Sequence, residues 1–365
     1  MRRFSGRELN HFQNPRSSST VPPNVVSSLN QALHALMSVD PRVVVLGEDL
    51  LDPYGGAFKV TKGLSTAFPD RVLTSPISEL GFTGVAVGMA LRGLRPVVEI
   101  MFGDFLMLAG DQLLNHATKY PWMYDGKASV PLVIRAPMGG RRGYGPTHSQ
   151  SIEKHFVGIP GLVVVAPSPF HDPGALLTAS VADDRPVLFV ENKLMYARAV
   201  RPPDDASMAE MTVRVGGAPF PTVSLSYDEF EDGEVTLVAY GGMAELALNA
   251  AERLLIDHEV LCELVLPSSL NPLDIAPIAE SLRRTGRLVV CEESTSVASW
   301  GSEVVARVSQ ACFDLLVAPP MKVCARDLPI ANTRVLEDAV LPQEGDIVQV
   351  AKSIVGKRKI RAVGG

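Results

Sequence analysis

Two residues in the first half of the chain have the type and setting to do acid–base chemistry: Glu79 and His148. Glu79 ends the run Ser75-Pro76-Ile77-Ser78-Glu79, which reads as a turn opening an apolar helix from Leu80 to Gly93. Ser75 is expected as the N-cap and Pro76 as the first helical residue, where a missing N–H costs nothing. Gly81, Gly84 and Gly88 then share one helix face. Each costs about 1 kcal/mol relative to alanine, a cost accepted where another backbone or a ligand comes close. A carboxylate in the first turn is favoured by the helix dipole when ionised. If buried, its pKa rises and it can donate a proton or a strong hydrogen bond. A solvated first-turn acid is the plainer alternative. His148 closes a loop, Gly139 to Thr147, that also carries Arg141 and Arg142. Guanidinium forks grip carboxylates and phosphates in pairs of bonds, so one of these arginines is expected to face the acid group of a substrate. For all three loop residues the plainer alternative is a solvated surface position.

The elements that must position these residues alternate between strand and helix. Val43 to Leu46 is a continuous apolar run, as expected for a strand buried on both faces, and it ends at Glu48 and Asp49. Acids at the C-terminal end of such a strand stand where open α/β sheets place their sites. Further strands are expected at Arg71 to Leu73, Pro96 to Met101, Val130 to Ile134, Gly161 to Ala166 and Pro186 to Val190, with helices between them. The pattern implies a parallel sheet covered on both faces. Residues 201–232 carry Pro202, Pro203, Pro219 and Pro221 without a sustained apolar period, and read as a linker. A second strand–helix alternation follows. The fold class is therefore α/β, with two doubly wound domains: a tail at 1–23, a domain at 24–200, the linker at 201–232 and a domain at 233–365.

Composition narrows the function classes. A chain of 365 residues is long enough for two cores. With a formal net charge of −6 and no basic block, nucleic acid is not an expected partner. No apolar run approaches the roughly 20 residues of a membrane span. Cys262, Cys291, Cys312 and Cys324 stand singly, without metal-ligand spacing or a disulfide framework, as core residues of a protein in a reducing compartment. The first 23 residues are rich in Arg and Ser. They read as the tail of a bacterial cytoplasmic protein, with a mitochondrial transit peptide and the matrix as the alternative.

Several runs taken together carry a resemblance. They are Tyr54-Gly55-Gly56-Ala57-Phe58-Lys59-Val60-Thr61-Lys62-Gly63-Leu64, Ser75 to Glu79, and Gly93-Leu94-Arg95-Pro96-Val97-Val98-Glu99. Thr147-His148-Ser149-Gln150 and Glu191-Asn192-Lys193-Leu194-Met195-Tyr196 complete the set. In this order the chain resembles the β subunit of the E1 component of 2-oxo acid dehydrogenase complexes, of pyruvate or branched-chain type. The likeness covers nearly everything after Val25. It implies a transketolase-like pyrimidine-binding domain followed by a transketolase C-terminal-like domain. It also implies thiamine diphosphate, shared with an α subunit in an α2β2 heterotetramer, with the α subunit holding the diphosphate and Mg²⁺ through a Gly-Asp-Gly motif. That motif does not occur in this chain, where Gly110-Asp111-Gln112 falls inside a helix.

By the same resemblance, Glu79 protonates or strongly hydrogen-bonds the pyrimidine N1′ of thiamine, which lets the coenzyme shed its thiazolium proton. Phe105 packs on the pyrimidine ring, with Met101 and Ile77 beside it. His148 manages protons as the acyl group passes to the lipoyl arm of the E2 component. Glu48 and Asp111 match acids of a proton-conducting chain. Asp183 matches a position that helps hold a structural potassium ion, although Arg185 replaces the small polar residue expected nearby. The implied activity is decarboxylation of a 2-oxo acid and reductive acylation of lipoyl-E2. Val265 to Ser269 and Phe102 to Leu108 depart from the pyruvate-type pattern. An alternative therefore stands: a subunit of a split transketolase-like enzyme that transfers an acyl or ketol unit to a carbonyl acceptor.

Overall fold

The computed structural model describes residues 23–201, 210–231 and 233–356. The expected N-terminal tail, or transit peptide, lies outside these residues except for Pro23.

The apolar runs form strands close to where the sequence places them, although the fourth starts at Val133 rather than Val130. Val43–Gly47 (β1), Val72–Thr74 (β2), Arg95–Glu99 (β3), Val133–Met138 (β4), Val163–Val165 (β5) and Val187–Asn192 (β6) are joined in parallel. All residues of β1 and β4 are buried, because helices cover both faces. The second unit contains Thr212–Gly216 (β7), Thr222–Ser226 (β8), Val235–Ala239 (β9), Cys262–Pro267 (β10), Ser269–Asn271 (β11), Leu288–Thr295 (β12) and Met321–Ala325 (β13). Six of these form a sheet in the order β13-β12-β9-β10-β8-β7. The strand β11 goes elsewhere. It pairs antiparallel with β5 and makes the first sheet seven-stranded, in the order β11-β5-β6-β4-β3-β1-β2.

Two expectations need correction. The stretch read as a linker contains β7 and β8, an antiparallel hairpin on the edge of the second sheet. Its alternation, Val213 and Val215 against Val223 and Leu225, is too short to register as a period, and Pro219 and Pro221 fall between the strands rather than in them. The site helix starts later than expected, spanning Glu79–Leu91 with Ser78 at its N-cap. Ser75 instead extends the strand pairing, its N–H donating to the Gly47 carbonyl at 2.9 Å. The proline after it disfavours the helical conformation at Ser75. Glu79 is thus the first helical residue, still in the first turn.

The glycine face of this helix is only partly covered. A Cβ at Gly84 would lie 3.1 Å from Gln112 Oε1, whereas one at Gly88 would meet nothing within 4 Å. The two units themselves share a core. Leu46, Ile134 and Leu188 of the first sheet belong to the same apolar cluster as Val238, Val265 and Val290 of the second and Trp300, which opens the helix Trp300–Ala311.

Candidate active site

The site is built on the C-terminal edge of the first sheet, where parallel strands deliver their loops. Glu48 follows β1 directly. Glu79 follows β2 as the first residue of its helix. Both side chains are buried, Glu48 to 8% and Glu79 to 5% exposure. Glu48 Oε1 has no hydrogen-bond partner, and the Glu79 carboxyl meets no donor among the described residues. Burial raises the pKa of Glu48; the facing charges of Glu79 and then Asp49 push the same way, while the Ser78 N–H pulls it back.

A second cluster forms one strand over. The chain leaves β3 through Met101 and Phe102 into a single 3₁₀ turn, Gly103–Phe105. Glycine is required at the start of this turn, since a Cβ there would run into Met138 of β4. The loop after β4 brings His148 back against the turn. Its ring stands edge-on to Phe102 at 4.6 Å and to Phe105 at 5.2 Å between centroids. Thr147 Oγ1 lies 2.9 Å from His148 Nδ1. Beneath the loop, fully buried Lys193 donates from Nζ to the His148 carbonyl, and its ammonium lies over the Phe102 and Tyr144 rings. Burial lowers the Lys193 pKa to about 8, against the pull of Asp104 and Glu293. Burial likewise raises that of Asp104, against the Gln150 N–H, Lys193 and His148.

The structure thus pairs Glu79 with Glu48, and His148 with Phe105. Met101 is half-buried beside Phe102. Ile77 is 84% exposed and carries an apolar surface next to Glu79. Other expected site residues are placed differently. Arg141 does not face open space: its guanidinium reaches the Pro342 carbonyl and Gln343 Oε1, and lies 3.6 Å from Asp338. Arg142 is exposed and lies over the Tyr144 ring. Asp111 stands on the surface, accepting from Asn115 at 2.7 Å and lying 3.5 Å from His116. No contact joins it to Glu48 or Glu79 among the described residues.

Asp183, expected at a potassium position, is engaged by arginines. Its carboxylate is gripped by Arg185 through Nε at 3.0 Å and Nη2 at 2.7 Å. Its carbonyl and that of Val181 both accept from Arg95 Nη1, at 3.1 and 2.7 Å.

Sequence reasoning also passed over charged residues beneath the site. Arg135, 1% exposed, bonds Glu99 Oε2 at 2.6 Å and both oxygens of Glu191 at 2.7 Å. Tyr196 adds its hydroxyl to Glu191 at 2.6 Å. A signal existed: three neighbouring apolar strands bring Glu99, Arg135 and Glu191 together, with signs that alternate from strand to strand.

Comparison with known proteins agrees with this architecture. A family model for the transketolase pyrimidine-binding domain matches residues 22–198, and one for the transketolase C-terminal domain matches 229–347. Pyruvate dehydrogenase E1 component subunit beta-2, mitochondrial, of Oryza sativa subsp. japonica is 38% identical over 337 residues, which are 92% of this chain and 87% of that protein. The acetoin:2,6-dichlorophenolindophenol oxidoreductase subunit beta of Cupriavidus necator is 35% identical, over 89% of this chain and 95% of that protein. A solved split gene transketolase, an inactive beta4 tetramer, aligns with a TM-score of 0.70 at 24% identity, over 92% of this chain and 100% of its own. That last likeness bears on the fold alone. With both transketolase domains in order and this identity along nearly its whole length, the chain belongs to the family of β subunits of 2-oxo acid dehydrogenase E1 components.

Proposed function

We propose that this chain supplies the pyrimidine half of a thiamine diphosphate site and, with an α subunit, decarboxylates a 2-oxo acid and acylates lipoyl-E2. The observation that carries the reading is Glu79: a buried carboxyl, beside a second one, left without a protein partner at the edge where such folds bind ligands. Glu79 would hold the pyrimidine N1′ through a shared proton, and Glu48 helps to keep that proton in place. Ile77, Met101 and Phe105 offer the apolar wall. Thiamine diphosphate, when bound, supplies the nucleophilic carbon and the electron sink for loss of CO₂. His148, held edge-on to two phenylalanines beside the site, exchanges a proton with the incoming acyl acceptor. Mg²⁺ and the diphosphate are assigned to the α partner. Ile77, Leu80, Val85, Met107 and Leu108, all more than 45% exposed, give that partner an apolar surface to cover. Potassium has no part in this reading. The setting is the bacterial cytoplasm, with the mitochondrial matrix as the alternative.

A second reading uses the same half-site to hand the acyl or ketol unit to a carbonyl acceptor. The acetoin-type relative favours keeping it. One experiment addresses both. The chain is co-expressed with its α-type partner, thiamine diphosphate binding is measured by calorimetry, and turnover is assayed with lipoylated E2 and with carbonyl acceptors. Glu79→Gln is expected to bind the coenzyme but to lose about a hundredfold or more in turnover. Unchanged turnover in that variant would overturn the proposal. Carbon–carbon products without lipoyl acylation would select the second reading.

A further inference from the structure

The loop that carries His148 has an unusual backbone. Gly139, Arg141, Gly143 and Gly145 all adopt positive φ, at 95°, 66°, 69° and 82°. For Arg141 that conformation costs on the order of 1 kcal/mol, so something must compensate it. Backbone that alternates in this way turns successive N–H groups toward one side and forms a nest for an anion. Two carboxylates of the second unit already fill it. Glu293, in β12, accepts from the Gly140 N–H at 2.7 Å and from Ser151 Oγ at 3.2 Å. Glu337, in the helix Arg334–Val340, accepts from the Arg141 N–H at 2.5 Å and from the Gly143 N–H at 3.3 Å. Both glutamates are buried, to 7% and 2% exposure. The fit is close: a Cβ at Gly139 would sit 3.0 Å from Glu293 Oε1, and one at Gly140 would sit 3.2 Å from Glu337 Oε1.

We propose that Glu293 and Glu337 are positioning residues for His148, and that they tie its loop to the C-terminal unit. The loop is then clamped from two sides. Lys193 of the first unit holds the His148 carbonyl, while the two glutamates of the second hold the start of the loop. The charges are complementary, since Lys193 feels the attraction of both glutamates. Neither glutamate touches the aromatic wall or the Glu48–Glu79 pair. Their effect is therefore on the step that uses His148 and not on decarboxylation. A shift of the C-terminal unit, such as a partner docking there would cause, reaches the histidine through these bonds.

The proposal rests on the role given to His148 above, and the test separates the two. In the complex with the α partner, Glu337→Gln and Glu337→Ala are compared with wild type and with His148→Ala. Three quantities are read: decarboxylation coupled to an artificial dye, acyl transfer to lipoylated E2, and hydrogen exchange of the amides of Gly140, Arg141 and Gly143. Glu337→Ala is expected to speed exchange of the Arg141 and Gly143 amides and to lower acyl transfer about ten- to a hundredfold, with dye-coupled decarboxylation within about twofold of wild type. Glu337→Gln, which keeps an acceptor oxygen and the shape, is expected to fall between and covers the case where the alanine variant does not fold. Amide exchange unchanged in both variants would overturn the clamp, as would both half-reactions falling together. If His148→Ala transfers acyl groups normally while the amides still loosen in the Glu337 variants, the role of His148 fails and the clamp stands.

Discussion

Single buried groups set how this protein should respond to pH. Glu153 is 1% exposed, accepts from the Tyr240 hydroxyl and leaves Oε2 without a partner. It borders a cavity of about 20 Å³ between the two units, room for one water. Burial raises its pKa to about 7, and the Tyr240 hydrogen bond opposes this. An unfolded glutamate titrates near 4.3. Between these values the folded state holds a proton that the unfolded state has lost. Stability therefore falls as pH rises through that window. Glu153→Gln should remove the dependence. Scanning calorimetry is expected to show equal Tm for the two proteins at about pH 4 and a higher Tm for the variant at about pH 8. A variant Tm no higher than that of wild type at about pH 8 would contradict it.

At the scale of elements, the ends of β3, β4 and β6 are joined by charge as well as by the ladder. Arg135 satisfies Glu99 and Glu191 at once, in a place closed to water. Removing it leaves two carboxylates buried and unpaired, which costs far more than the pair contributes. Arg135→Met is expected to destabilise the fold by about 3–5 kcal/mol, read from the urea midpoint at constant m. A change below about 1 kcal/mol would mean that water reaches the triad. This level also shows what the sequence could and could not disclose. Strands such as Val43–Gly47 were legible because both their faces are apolar. Glu79 was legible as a first-turn acid, although its helix starts three residues later than the local signals implied. The partners of Gly140 and Arg141 lie 153 and 196 residues away, and no local pattern in the loop points to them. Read alone, its two arginines looked ready for a substrate, whereas the fold uses the amides and Arg141 for its own assembly.

Across the whole molecule, the boundary between the two units is less clean than composition implies. The core runs through both, the His148 loop is bonded to both, and β11 leaves the second to edge the sheet of the first. A fragment of residues 24–200 would lack β11 and expose the edge of β5, an apolar strand of Val163, Val164 and Val165. It is expected to aggregate or purify with chaperones, while the full chain does not. Light scattering of the two proteins at matched concentration would show this. A monodisperse, folded fragment would argue against it.

That small edge strand limits how the gene can be rearranged. Three residues, Ser269 to Asn271, act as a selvedge that stops the front half from fraying, although they are encoded well behind it. Splitting or swapping the halves at the proline-rich junction would separate the cloth from its hem. A recombinant keeps a finished border only if its back half brings along an equivalent short return strand.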